Sequence, residues 1–365
     1  MEIKIRDAKL TPPGEIAEKK KDPGFGKTFS DRMFVARWNE DAGWHDAEIV
    51  PYGPLALDPA ANVLHYAQEV FEGLKAYHWP DGTVALFRPE KNAERFDNSA
   101  RRLCMPLVGP DLFLQSIETL VDLEREWIPG DGQGSLYIRP TMIATEASLG
   151  VKVSNSYLYY VIVGPVGPYF PTGFKPVKIY VTKEFVRAAV GGIGFAKTAG
   201  NYAASLYAGN VAKEKGCSQV LYLDAQEHRY IEELGGMNVY CRFDDTLVTS
   251  PLTGSILPGV TRDSIRQLAP DMGLEVEERR VPIEEIQERA ADGSLKEMFA
   301  VGTAAVVTAI GSLRVEDEAD LVIGDGGVGE VSRALYDKLT GIQYGREADP
   351  YGWVRRVPER QHQAG

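Results

Sequence analysis

Apolar positions along the chain follow two rhythms. Short alternating or continuous apolar runs predict strands near Thr28–Trp38, Gly73–Trp79, Thr83–Phe87 and Ser135–Thr145 in the first half. The second and third of these are joined by Asp81-Gly82, a dipeptide suited to a tight hairpin turn. From Pro89 to Leu103 the rhythm becomes helical, with a proline at the start. A further helix precedes the Ser135 strand.

At Gly164–Val177, GPVGPYFPTGFKPV, repeated Pro and Gly remove backbone donors and predict a linker that neither a helix nor a central strand crosses. Beyond it the pattern predicts a strand at Val177–Thr182, a helix around Tyr202–Lys215 ended by Gly216, and a strand at Ser218–Leu223. A hairpin at Asn238–Thr249 and a helix at Thr261–Met272 follow. This predicts a mixed α/β (α+β) chain of two domains, 1–163 and 178–365, around a linker at 164–177. The antiparallel pairing in the second argues against a doubly wound nucleotide fold. There is no internal repeat.

The length of 365 residues and the 44% hydrophobic content allow two ordinary cores. No apolar run is long enough to span a bilayer, and the start, MEIKIRDAKLTPPGEIAEKKKDPG, does not read as a signal peptide, so a cytoplasmic protein is expected. A net charge of −12 argues against nucleic-acid partners. Cys104, Cys217 and Cys241 and five scattered histidines offer no metal-ligand spacing, so no metal is expected.

One segment invites chemistry: Gly191–Ser205, GGIGFAKTAGNYAAS, sets Lys197 among glycines and small residues with Tyr202 five positions on. Gly191–Thr198 differs from a phosphate-binding loop only by Ala196 before the lysine, a substitution that removes the glycine such a tight turn needs. Taken alone, the segment also suits an ordinary lysine in a surface loop.

The chain resembles the branched-chain aminotransferases, the L-amino-acid branch of the fold-type IV pyridoxal-phosphate (PLP) enzymes, over nearly its whole length. The residues that carry the likeness in the first half are FGKTFSDRMF (Phe25–Phe34), LHYAQEVFEGLKAY (Leu64–Tyr77), FRPEKNAERF (Phe87–Phe96), SLYIRPT (Ser135–Thr141) and SLGV (Ser148–Val151). In the second half they are GPVGPYFPTG, AKTAGNYAAS, EELGGMNVY (Glu232–Tyr240), ILPGVTR (Ile256–Arg262) and VGTAA (Val301–Ala305). The resemblance implies a smaller N-terminal α/β domain and a C-terminal pseudo-barrel domain bearing the lysine.

It also implies the site. Lys197 would carry PLP as a Schiff base and shuttle a proton, which an amine can do. Glu233, in preference to its neighbour Glu232, would face the pyridine nitrogen, and Tyr202 the ring hydroxyl oxygen. Arg95 would grip the phosphate, with Val260 and Thr261 offering backbone N–H groups at a helix start and Thr303 completing the cup. Backbone amides near Thr303 and Ala304 would also meet the substrate α-carboxylate. Phe25, Tyr66, Phe71, Tyr137 and Tyr169 would wall the side-chain pocket, Arg139 would receive the distal carboxylate of glutamate, and Tyr169 lies where a gate could sit. Leu149 and Val151 would reach the other subunit's site, implying a homodimer. Two positions depart from members of the family: Gly236 stands where some carry threonine, and Ala305 and Thr308 stand where some animal members carry a CxxC pair, so that thiol switch is absent. The implied activity is amino transfer between L-leucine, L-isoleucine or L-valine and 2-oxoglutarate.

Overall fold

The computed structural model describes residues 1–130, 132–167 and 174–359. The chain divides into two compact units, one of Met1–Pro171, Ala196–Ala199 and Gly341–Gly365, the other of Thr172–Phe195 and Gly200–Thr340.

The first unit is built on one sheet. Its strands are β1 (Lys4–Ile5), β2 (Arg32–Asn39), β3 (Gly43–Pro51), β4 (Glu69–Phe71), β5 (Leu74–His78), β6 (Val84–Phe87), β7 (Ser135–Ala144) and β8 (Ser156–Val166), with the late strand Val354–Arg356 added beside β6. They lie in the order β1-β3-β2-β8-β7-β5-β6 and then the late strand, with β4 also paired to β7. The helices are α1 (Pro13–Lys21), α2 (Asn62–Tyr66), α3 (Pro89–Arg102) and α4 (Pro110–Leu123).

Strand alternation decides which side chains enter the core. Leu136, Ile138, Met142 and Ala144 of β7 join Val70, Leu74 and Ala76 of β4 and β5, and Tyr157, Tyr159, Val161 and Val163 of β8, in one buried cluster. Phe96 of α3 and Phe113 of α4 close on Tyr159 at ring distances of 5.6 and 6.5 Å. Tyr137, Arg139, Phe71 and Lys75 are thereby left on the opposite face of the sheet, away from α3 and α4.

Two features differ from the sequence expectation. Strand β8 runs on through Gly164-Pro165-Val166, each paired to β7, where a linker was expected to begin. The proline is tolerated because β2 pairs with β8 only as far as Val161, leaving the far end of β8 with one strand neighbour. Gly164 is required there, since a Cβ would lie 2.1 Å from the Thr28 carbonyl oxygen. Second, residues 341–359 return to the first unit, the one expected to be smaller, because Val354–Arg356 pairs with Phe87, Leu86 and Ala85.

The second unit carries β9 (Val177–Thr182), α5 (Ala199–Glu214), β10 (Gln219–Leu223), β11 (Ile231–Leu234), β12 (Asn238–Phe243), β13 (Thr246–Thr249), α6 (Val260–Leu268), β14 (Glu275–Glu278), α7 (Ile283–Asp292), β15 (Leu295–Gly302), β16 (Val306–Val315), β17 (Leu321–Val322) and most of α8 (Glu330–Gln343). The order β11-β10-β9-β16-β15-β12 is closed by an added pairing of β11 with β12, which makes a barrel-like ring, with β13 and β14 continuing outward from β12. Helix α5 buries Ala208 and Ala212 against Tyr180, Val220 and Tyr222, and Gly216 just beyond it has φ +71°.

Candidate active site

In the first unit, the lysine segment is held as if it extended β4. Phe71 N–H donates to the Lys197 carbonyl at 3.0 Å. Thr198 bridges Val70 in antiparallel register, and its hydroxyl donates to the Glu69 carbonyl at 2.7 Å. From the other side, Lys197 N–H donates to Ser99 Oγ of α3 at 2.8 Å. With its backbone fixed twice over, the lysine presents Nζ 4.8 Å from the Phe71 ring centroid.

Below that lysine lies a buried charge pair. Glu72 is fully buried on the core face, and Arg95 grips it with two bonds, Nε to Oε1 at 2.7 Å and Nη2 to Oε2 at 2.9 Å. The Asn92 amide adds a third at 2.8 Å. Burial alone would raise the Glu72 pKa. Arg95, the charge of Lys197 and the Asn92 amide together hold it below the usual carboxylate range. Asn92, Arg95 and Ser99 share one face of α3 by helical spacing, which is why one helix serves both Glu72 and the lysine backbone.

The aromatic residues assemble around Arg139. Its guanidinium lies 4.8 Å from the Phe71 centroid and 5.3 Å from that of Tyr137, and Nη2 donates to the Tyr137 hydroxyl at 2.9 Å. Its buried Nε has no hydrogen-bond partner among the described residues. Phe25 meets Tyr137 edge-on at 5.0 Å. Tyr66 joins a second group: its hydroxyl donates to the Leu149 carbonyl, and Leu149 and Val151 are 65% and 86% exposed. Tyr169 lies outside the described residues.

In the second unit the focus is Glu233 on β11, a strand buried throughout. The Leu257 N–H donates to its Oε1 at 2.8 Å and the Asn238 amide to its Oε2 at 3.0 Å. Arg187 completes the set at 2.6 Å, and the same arginine donates to the carbonyls of Gly194 and Ser255. Glu232 points to the other face by alternation, where its Oε1 accepts from the Ser255 hydroxyl at 2.5 Å. Burial, against the pull of Ser255 and Arg187, raises the Glu232 pKa. The two neighbouring acids thus occupy opposite environments.

Gly259 caps α6, which opens at Val260 and Thr261, so the N–H groups of these two residues have no carbonyl one turn earlier within the helix. Thr303 and Ala304 form the turn between β15 and β16, closed by the Gly302–Val306 pair. Tyr202 lies in the first turn of α5, and its carbonyl accepts from the Ser205 hydroxyl at 2.7 Å.

Sequence reading did not single out Glu72, Asn92, Ser99, Arg187 or Asn238. Glu72 carried a usable signal, because strand alternation places it among core positions, where an acid requires a partner. Arg187 carried none, lying ten residues before Lys197 in an irregular stretch. The groups present suit PLP: an amine on a fixed backbone, a carboxylate aligned by three donors and a helix start for a phosphate. Among the described residues no cluster of three or more His, Cys, Asp or Glu is suited to a metal.

Comparison with known proteins places the chain. Residues 69–313 match the family described as amino-transferase class IV. A probable branched-chain-amino-acid aminotransferase from Streptomyces coelicolor is 53% identical over 92% of this chain and 93% of its own. The crystal structure of the Escherichia coli branched-chain amino acid aminotransferase aligns at TM-score 0.74 and 27% identity, covering 90% of this chain and 99% of that one. A second branched-chain amino acid aminotransferase, from T.th. and solved with pyridoxamine 5'-phosphate, aligns at TM-score 0.73 and 27% identity over 88% and 98% of the two chains.

Proposed function

The chain belongs to the class IV aminotransferase family, among its branched-chain-amino-acid aminotransferases, and on that premise we propose that it is a PLP-dependent transaminase bound to its cofactor through Lys197. It moves the amino group of L-leucine, L-isoleucine or L-valine to 2-oxoglutarate, reversibly and in two half-reactions. The observation that carries the assignment is the doubly fixed Lys197 backbone, with its amine over Phe71 on the sheet face that also presents Arg139 and Tyr137.

PLP, when bound, supplies a carbonyl that takes up the amino group and a ring that accepts electrons as the Cα–H bond breaks. The remaining work falls to this chain. Lys197 moves the proton at substrate Cα. Glu233, steadied by Arg187, Asn238 and the Leu257 N–H, keeps a proton on the ring nitrogen. Tyr202 would face the ring hydroxyl oxygen. The N–H groups of Val260 and Thr261 and the Thr303 turn hold the phosphate, and the Ala304 amide orients the substrate carboxylate. Arg95, whose Nε and Nη2 hold Glu72, would add positive charge toward the phosphate.

Phe25, Phe71, Tyr66 and Tyr137 present apolar surface to a branched side chain, while Arg139 offers charge to the distal carboxylate of glutamate. Leu149 and Val151 complete the partner's site in a homodimer, a reading supported by their exposure. The test is Lys197→Ala, which is expected to abolish transamination between L-leucine and 2-oxoglutarate in a coupled assay. Wild-type turnover in that variant would refute the assignment.

A further inference from the structure

One charged side chain on the substrate-facing side of the first unit has no role in the account so far. Phe71, Gly73 and Lys75 alternate with core residues Val70, Leu74 and Ala76, so all three share the face that carries Tyr137 and Arg139. Lys75 pairs directly across from Tyr137. A Cβ added to Gly73 would lie 2.2 Å from the Tyr137 hydroxyl, so the phenol end of Tyr137 lies over Gly73, between Phe71 and Lys75. Arg139 donates to that same hydroxyl. Directly opposed residues in a sheet stand about 5 Å apart at Cβ and diagonal ones about 7–8 Å. Lys75 and Arg139 therefore flank the Tyr137 hydroxyl within reach of one small anion.

We infer that Lys75 is a specificity residue that, together with Arg139, grips the distal carboxylate of the dicarboxylate amino acceptor and yields that space to the apolar side chain of a branched substrate. The inference rests on the transaminase reading above. One pocket that receives an isobutyl group and a carboxylate in alternate half-reactions needs charge that can be brought up and withdrawn. Arg139 cannot supply this alone, since its guanidinium lies against both Phe71 and Tyr137 and is tied to the Tyr137 hydroxyl. A half-buried lysine on a flexible stem can.

The ammonium is also poised to lose its charge. Burial lowers the Lys75 pKa from 10.5 to about 8. Among the described residues, the other titratable and charged groups that β4 to β8 and the elements beside them bring to this face are Glu69 of β4, Tyr77 of β5 with Tyr344 edge-on to it, Tyr137 and Arg139 of β7, Tyr160 of β8, Lys197, and Arg356 on the late strand, with Arg37 of β2 farther off. Glu69 has its pKa raised by burial, against the pull of Arg139. An incoming carboxylate favours the charged lysine, so affinity for the dicarboxylate is full below about pH 8 and falls as pH rises through it. A branched-chain 2-oxo acid gains nothing from that charge and its KM does not follow this titration.

The holoenzyme with Lys75→Met and with Lys75→Arg tests this. Lys75→Met is expected to raise KM for 2-oxoglutarate about 30-fold while leaving KM for 4-methyl-2-oxopentanoate within about threefold. Lys75→Arg restores the dicarboxylate KM and removes its rise above pH 8. Calorimetry adds a readout independent of turnover: glutarate binding weakens in Lys75→Met and 4-methylvalerate binding does not. Equal losses with both acceptors, or none, would overturn the inference and assign Lys75 a packing role. A wild-type protein inert toward L-leucine would instead overturn the transaminase reading, whatever the variants bind.

Discussion

Glu72 and Glu124 are both buried acids paired with arginines, and their partners set them apart. Glu72 receives three side-chain hydrogen bonds from Arg95 and Asn92 and feels Lys197, which together depress its pKa despite burial. Its contribution to stability is present above the unfolded value near 4.5 and is lost as pH falls through the lower folded value. Glu72→Gln leaves Arg95 buried with its charge uncompensated and is expected to cost about 3–5 kcal/mol in a denaturant titration. Glu124 has one arginine, Arg32, at 2.8 Å and the Asp31 N–H at 3.2 Å, and burial outweighs both, raising its pKa to about 7. The sign reverses here: the proton held in the folded state stabilises below 4.5, and that contribution is lost as pH rises toward 7. Melting temperatures of wild type and Glu124→Gln should therefore converge or cross between pH 5 and pH 8, and parallel curves would contradict this. The sequence showed Glu233 through its motif, but the difference between Glu233 and Glu232 became physical only with Arg187 and Asn238 in place.

Local pattern was a good guide to elements and a poor one to their ends. The Val177–Thr182 strand and the Asn238–Thr249 hairpin lie where the apolar runs put them, because a two-residue alternation is written in contiguous residues. The continuation of β8 through Pro165 was not legible, since whether a proline ends a strand depends on which edge faces a neighbour. Close approach of elements gives a sharp prediction at Gly259, the cap of α6. A Cβ there would lie 2.1 Å from Asn238 Oδ1, and Asn238 holds Glu233. Gly259→Ala should displace that amide and lower kcat/KM with L-leucine by about tenfold or more, while far-ultraviolet circular dichroism stays unchanged. Full activity would mean that the Asn238 contact to Glu233 is dispensable.

At the scale of the whole chain, the path that puts Lys197 beside Ser99, 98 positions away, and brings Val354–Arg356 back to β6 has no local signature. It became expected only through the order of motifs along 365 residues. Assembly belongs to this scale too. The proposed homodimer predicts a solution mass twice the 40.2 kDa chain, and Val151→Asp, at a position 86% exposed, should shift the dimer toward monomer and reduce activity together. Among the described residues no helix is long and apolar enough to cross a membrane.

The central claim is that Lys197 binds PLP for the transamination of L-amino acids with branched side chains. It is tested most directly by the visible absorbance of the purified protein, reconstituted with PLP, before and after L-leucine, with D-alanine in parallel. The account predicts a cofactor band that L-leucine removes and D-alanine leaves, and that is missing from Lys197→Ala. A protein that shows no band after reconstitution, or whose band responds to D-alanine and not to L-leucine, would contradict it.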